Sequence, residues 1–183
     1  MTRNPAVTFV MIWLAGFAAV AHASQAGWQA GTAKASITPR EPIWMAGYGS
    51  RQEPMQGVRQ EIYVKALALR DESGTTAVLI TADMLGFTAD VSDAVYRKCS
   101  TKFGLSRDRL VFSASHTHSG PVVGRMLWPA YPLGKREEAA IDRYTAKFID
   151  TTVDVIGRSI QDLAPASLAF EQGLAGFAVN RRR

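Results

Sequence analysis

Two histidines, His116 and His118, lie two residues apart directly after the segment 110–115, which begins with apolar, β-prone residues. This segment predicts a strand that ends before Gly120. Side chains two apart on an extended segment point to the same face, so both imidazole rings can reach one point in space. Neutral imidazole is the commonest nitrogen ligand of zinc, and the pair therefore predicts part of a zinc site. The alternative is two polar residues that make ordinary hydrogen bonds.

A β-α-β unit would carry the pair. Residues 77–81 predict a strand, and a helix follows from about 90 to 103 with Gly104 at its C-terminal end. The strand at 110–115 then predicts a parallel pair with a right-handed crossover. Functional groups gather beyond the carboxyl ends of such strands. Asp83 follows the first strand and the histidines follow the second, so we expect them to lie close together.

A zinc site needs more ligands than two histidines. Zinc commonly takes three protein ligands plus water at a catalytic site. Asp83 is the only carboxylate that this topology brings near the pair. Two alternatives remain, since Asp83 could be a helix cap or a turn residue, and the missing ligands could lie beyond Arg183.

The other elements predict an α/β fold with a mixed, partly parallel sheet, the β-α-β unit and flanking helices. The further segments are strands at 29–38, 64–69 and 167–171, and a long amphipathic helix at 137–163. The strand at 77–81 is apolar except for its last residue, Thr81, which predicts burial on both faces. No closing element follows the last strand, so we expect an incomplete domain that forms the N-terminal part of a longer protein.

Residues 1–23 have the features of a cleavable signal peptide. Arg3 is basic, residues 7–20 are almost uninterruptedly apolar, and the sequence Ala-His-Ala at 21–23 matches a cleavage site. We therefore expect a secreted or periplasmic protein that begins at Ser24, and an uncleaved N-terminal anchor is the alternative.

Charge and cysteine content exclude two classes of protein. The net charge is +5, three of those charges are consecutive arginines at 181–183, and no basic stripe with interleaved aromatics occurs. We therefore expect no nucleic-acid partner. Cys99 is the only cysteine, which excludes an intrachain disulfide. It follows Val91 and Val95 at a spacing of four, and this indicates a buried helix residue rather than a nucleophile.

Six short motifs in a fixed order carry a family resemblance: GTAKASITP at 31–39, MAGYG at 45–49, KALAL at 65–69, TAD at 81–83, SHTHSGP at 115–121 and NR at 180–181. With these motifs the chain, from about residue 31 to 183, resembles the N-terminal part of the neutral/alkaline (non-lysosomal) ceramidase family. Residues 24–183 would then be the N-terminal portion of a ceramidase-like catalytic domain.

The resemblance implies a zinc-dependent amidase that cleaves the N-acyl bond of ceramide, or of a related lipid amide, to a sphingoid base and a fatty acid. His116 would be a zinc ligand, and His118 would be an acid/base or oxyanion-stabilising group. Arg181 would hold the transition state or the substrate, although a solvated surface cation is its alternative. The remaining ligands of the family, a histidine, a glutamate and a tyrosine, lie further along than this chain extends.

Two further expectations concern the substrate and the class of protein. The apolar loop at 125–133 could cover an acyl-chain groove or make transient contact with a membrane surface, or it could pack on its own core. A catalytically inactive, exported binding domain that retains the ceramidase-like fold is the alternative to the enzyme.

Overall fold

The computed structural model describes residues 27–177. The predicted signal peptide at 1–23 and the candidate site residue Arg181 lie outside these residues. Between 27 and 177, no helix combines the length and the apolar character that a membrane crossing requires.

Between residues 27 and 177 the structure has five strands and two α-helices. The strands are β1 (Gln29–Ser36), β2 (Tyr63–Arg70), β3 (Thr76–Ala82), β4 (Leu110–Ala114) and β5 (Ala164–Pro165), and the helices are α1 (Ala89–Phe103) and α2 (Lys135–Gln161). They form one sheet in the order β4-β3-β2-β1-β5. The pairs β1–β2, β2–β3 and β1–β5 are antiparallel, whereas β3 and β4 are parallel. The predicted mixed α/β class is therefore confirmed.

The predicted β-α-β unit is present as β3, α1 and β4, with Ile80 opposite Phe112 in the parallel pair. Helix α1 ends where the sequence predicts. Gly104 has a left-handed backbone at φ 67°, which glycine adopts without steric strain. Its N–H donates to the Ser100 carbonyl, so one of the last helical carbonyls has a partner.

The main core lies between one face of the sheet and the two helices. The buried strand residues alternate with exposed ones, and the members of this face are Val64, Ala66, Ala68, Val78, Ile80 and Ala82. The same cluster contains Val91, Val95 and Cys99 of α1 and Phe148, Val153, Val155 and Ile156 of α2. Both helices therefore cover the same face of the sheet.

The prediction that the third strand is buried on both faces is wrong. Leu79 is 39% exposed, and its cross-strand neighbour Val111 is 56% exposed. Both residues lie on the face opposite to the helices, and no element between residues 27 and 177 covers that face. An apolar strand sequence does not reveal whether one or two layers pack on its sheet.

The predicted strand at 167–171 is also wrong, because the chain runs past the start of β1 after Pro165, which lies opposite Gln29 in the antiparallel register. The Asp162 carboxylate accepts a hydrogen bond from the Thr32 N–H at 2.8 Å, and Arg158 donates to the Lys34 carbonyl at 3.1 Å. On the edge of β1 that faces away from β2, only the two residues of β5 pair with it, opposite Gln29 and Ala30. Residues 167–171 therefore have no part of β1 opposite them.

Candidate functional site

The histidine pair lies in a turn just past β4, not on an extended strand. Strand β4 ends at Ala114, and His116 has a positive φ of 57°. A non-glycine residue in this left-handed region is uncommon and mildly strained, although histidine is among the residues that tolerate it. The ring centroids of His116 and His118 are still only 5.2 Å apart, at 64° to one another. The expected proximity is found, but strand alternation does not produce it.

His116 has the hydrogen-bond pattern of a metal-binding imidazole. Its Nδ1 lies 2.8 Å from the carbonyl oxygen of Leu85, which follows β3. A carbonyl can only accept, so the neutral ring carries its proton on Nδ1 and leaves a lone pair on Nε2. Ligating histidines usually donate their second nitrogen in this way, which fixes the tautomer and the ring orientation. His116 is exposed, so Nε2 can be reached from outside.

His118 is enclosed by a loop that the sequence analysis did not assign to the site. The Tyr48 ring meets the His118 ring edge-on, with centroids 4.9 Å apart. Arg51 donates from Nη2 to the His118 carbonyl at 2.8 Å. Gly47, with φ 112°, lies against the imidazole. Within residues 27–177, neither ring nitrogen of His118 has a hydrogen-bond partner.

Backbone hydrogen bonds attach this loop to the segment that follows the histidines. The Ala46 N–H donates to the Gly120 carbonyl and the Val122 N–H donates to the Trp44 carbonyl, both at 2.9 Å. The Gly47 N–H also donates to the Tyr131 hydroxyl at 2.8 Å. The available signal was the MAGYG motif at 45–49, whose glycines indicate tight turns but not what the turns contact.

Asp83 caps a strand pair and does not join the histidines. Its carboxylate accepts a hydrogen bond from the Tyr63 N–H at 3.0 Å, and its own N–H donates to the Tyr63 carbonyl at 2.9 Å. Across residues 27–177, no group of three or more histidine, cysteine, aspartate or glutamate side chains is arranged to hold a metal ion. Asp83 is not a helix cap, because the N-cap residue of α1 is Thr88. The geometry favours the turn-residue alternative, in which Asp83 holds the ends of two strands together, over the ligand hypothesis.

Cys99 is a core residue, as its helical spacing predicts. It is fully buried in α1, and burial raises the pKa of its thiol to about 11. The thiol is therefore protonated at neutral pH, whereas a nucleophilic cysteine needs a thiolate.

The apolar loop at 125–133 packs largely on its own core. Tyr131 is buried, and Met126, Trp128 and Leu133 contact the same small cluster, which also contains Ile43 and Trp44. Leu127 remains 48% exposed. The contacts favour core packing for most of the loop and leave the large apolar side chain of Leu127 exposed, where it could touch a ligand or a lipid.

Comparison with known proteins identifies relatives along nearly all of the described chain. The family model for the N-terminal part of neutral/alkaline non-lysosomal ceramidases matches residues 28–183. The neutral ceramidase of Mycobacterium tuberculosis is 28% identical over 145 residues, which are 75% of this chain and 22% of that protein. The neutral ceramidase of Drosophila melanogaster is 26% identical over 101 residues, 52% of this chain and 14% of that protein.

Two solved structures share the fold. Neutral ceramidase from Pseudomonas aeruginosa has a TM-score of 0.62 at 24% identity, and a ceramidase complexed with C2 has a TM-score of 0.63 at 22% identity. Each match covers 76% of this chain and 22% of the other chain. The chain therefore spans only 14% to 22% of the length of these relatives.

Proposed function

The chain belongs to the neutral/alkaline non-lysosomal ceramidase family, and from this membership we propose that it supplies the N-terminal part of a zinc-dependent hydrolase. The enzyme would cleave the N-acyl amide bond of ceramide, or of a related lipid amide, to a sphingoid base and a fatty acid. One observation carries the proposal: His116 is fixed through Nδ1 to the Leu85 carbonyl, and the free imidazole of His118 lies beside it.

His116 suits a zinc ligand on the chemistry of its own ring. The bond to the Leu85 carbonyl leaves Nε2 with a lone pair on an exposed ring, which is the donor that zinc takes from histidine. The residues between 27 and 177 provide no three-ligand group, so the remaining ligands would come from elsewhere in the protein. When bound, zinc supplies a Lewis acid that polarises an amide carbonyl and lowers the pKa of water to about 7.

His118 would be the general acid/base that transfers protons during hydrolysis of the amide bond. Amide hydrolysis requires a proton to be removed from the attacking water and another to be delivered to the leaving nitrogen. The ring of His118 lies 5.2 Å from that of His116, within reach of a substrate held there. A positioned imidazole that accepts and then donates a proton contributes about 10²–10⁴-fold to the rate.

Arg181 and the substrate complete the proposal. On the family resemblance, Arg181 would donate charge-assisted hydrogen bonds to the developing oxyanion or to the substrate. The lipid amide would approach from a membrane surface, and the exposed Leu127 offers an apolar contact near the site segment. The signal peptide at 1–23 would direct the protein to the periplasm or the exterior, where we place the activity.

A second candidate function rests on a specific observation. Only two of the side chains described could bind zinc at this site, and Asp83 is engaged as a cap. A catalytically inactive, exported binding domain with the ceramidase-like fold would have the same two histidines and no complete metal site.

The test compares two isosteric substitutions in the complete gene product. His116→Asn keeps a donor where Nδ1 meets the Leu85 carbonyl and removes the Nε2 lone pair. His116→Gln removes the donor to Leu85 and places an amide group where Nε2 lies. We expect stoichiometric zinc and ceramide hydrolysis in the wild type and the loss of both in His116→Asn, with a nearly unchanged melting temperature. Ser119→Ala, in the same exposed segment, is the control.

The outcomes separate the two candidate functions. A His116→Asn protein that keeps its zinc and its amidase activity would remove His116 from the mechanism. A folded wild-type protein with neither zinc nor amidase activity supports the binding domain.

A further inference from the structure

Arg51 and Tyr48 form a small assembly around His118. The Arg51 guanidinium lies over the Tyr48 ring, 5.4 Å from its centroid, and donates from Nη2 to the His118 carbonyl. The Tyr48 ring in turn meets the imidazole of His118 edge-on at 4.9 Å. One cation therefore contacts both the backbone of His118 and the aromatic ring that packs on its side chain.

The two histidines are held in different ways. His116 is oriented by its own Nδ1 bond to the Leu85 carbonyl. The ring of His118 has no such bond within residues 27–177, so its orientation depends on the groups packed around it: Tyr48, Gly47 and His116. A proton-carrying imidazole needs a defined orientation, because small displacements of a catalytic group reduce the rate steeply.

Arg51 is not needed to attach its loop to the histidine segment. Two backbone hydrogen bonds, Ala46 to Gly120 and Val122 to Trp44, already join them. Arg51 also buries its Nε with no hydrogen-bond partner among the described residues. Burying an unpaired donor is unfavourable, so stability alone does not account for this placement of the side chain.

We propose that Arg51 and Tyr48 are positioning residues for His118. Arg51 fixes the backbone of His118 and the face of Tyr48, and Tyr48 holds the imidazole in the orientation that proton transfer requires. Neither residue contacts the reacting atoms in this role. The catalytic consequence rests on the proposed function, whereas the structural consequence, a displaced His118 ring, does not.

Kinetics of the complete gene product test the catalytic consequence. We expect Arg51→Gln to lower kcat by about 10- to 100-fold, with KM and zinc content unchanged. Arg51→Lys retains a cation that can donate to the same carbonyl and should recover most of kcat. Arg59→Gln is the matched control, because Arg59 is an exposed arginine further along the same connection between β1 and β2.

Histidine ring spectra of the 183-residue chain test the structural consequence without activity. The chain has only three histidines, so His118→Gln and His116→Gln assign the ring ¹H–¹⁵N signals of the site. We expect Arg51→Gln and Tyr48→Ala to shift the His118 signals more than those of His116, and Tyr48→Phe, which keeps the ring, to leave them in place.

The two measurements can reject the proposed function and the role of Arg51 independently of each other. If the wild-type gene product does not hydrolyse ceramide, the proposed function fails and the spectra alone decide the role of Arg51. If Arg51→Gln matches Arg59→Gln in the His118 signals, or in kcat where the wild type is active, Arg51 does not position His118.

Discussion

Gly47 lies so close to His118 that a Cβ added to it would be 2.5 Å from the imidazole Cγ. The backbone at Gly47 also has φ 112°, a conformation that residues with a Cβ rarely adopt. Space and backbone geometry therefore both require glycine at this position.

Gly47→Ala should both displace the His118 ring and strain the backbone of the loop that contains residue 47. We expect a loss of about 1–3 kcal/mol in the free energy of unfolding and, in the complete gene product, at least a 10-fold loss of kcat. Urea unfolding and amidase assays measure the two effects. Gly57→Ala is the control, because no atom lies within 4 Å of its added Cβ. Equal behaviour of the two variants would show that Gly47 does not constrain His118.

The two faces of β3 should respond differently to truncation. Ile80 is fully buried in the main core, whereas its neighbour Leu79 is 39% exposed on the opposite face. We expect Ile80→Ala to lower the free energy of unfolding by about 2–5 kcal/mol and Leu79→Ala by about 1 kcal/mol or less. Chemical denaturation of this chain compares them directly. A large effect of Leu79→Ala would mean that another layer covers this face.

The fold was largely predictable because its main signals are local. The periodicity of α1, Gly104 at its end and the order of strand, helix and strand depend on residues close together in sequence. The burial of only one face of β3 depends on distant partners, and so does the pairing of β5 with the first two residues of β1. The contact between the Asp162 carboxylate and the Thr32 N–H joins residues 130 positions apart, and no local pattern indicates it.

The candidate site was predictable only in part, for the same reason. The two-residue spacing indicated that His116 and His118 would lie together, but the left-handed turn at His116 that brings this about has no sequence signature. The enclosure of His118 by Tyr48 and Arg51 spans about 70 positions of sequence, since Arg51 and the His118 carbonyl are 67 residues apart. The glycines at 47 and 49 are typical of a turn, but they do not identify the histidine that the loop contacts.

Cys99 should resist thiol reagents in the folded protein. It is fully buried, and burial raises the pKa of its thiol from 9.0 to about 11. A disulfide-forming reagent at pH 8 should therefore react at the rate of unfolding, and in denaturant it should react within the mixing time. Reaction of the native protein as fast as that of the denatured protein would show that α1 opens readily.

Tyr144 should make stability sensitive to alkaline pH. Its hydroxyl donates to the Ile37 carbonyl, and burial raises its pKa well above the usual value. A raised pKa favours the protonated form in the folded state, so this contribution is complete below about pH 10, the ordinary tyrosine pKa, and is lost as the pH rises further.

The matched substitution is Tyr144→Phe. At pH 7 it should reduce the free energy of unfolding by about 1–3 kcal/mol, because the Ile37 carbonyl loses its donor. The difference from the wild type should shrink above about pH 10. Denaturation from pH 7 to 11 measures it, and the titration of Cys99 cancels because both proteins retain that thiol. A difference that stays constant would rule out the hydroxyl as its source.

Asp83 offers a test that distinguishes a cap from a metal ligand. Asparagine retains the side-chain oxygen that accepts the Tyr63 N–H. The free energy of unfolding of Asp83→Asn should therefore lie within about 0.5 kcal/mol of the wild-type value. Asp83→Ala leaves that N–H without its acceptor and should lose about 1 kcal/mol. In the complete gene product, zinc content should be the same in all three proteins, because the carboxylate charge is not used for the metal. Loss of zinc in Asp83→Asn without loss of stability would instead make Asp83 a ligand and require it to leave Tyr63 when the metal binds.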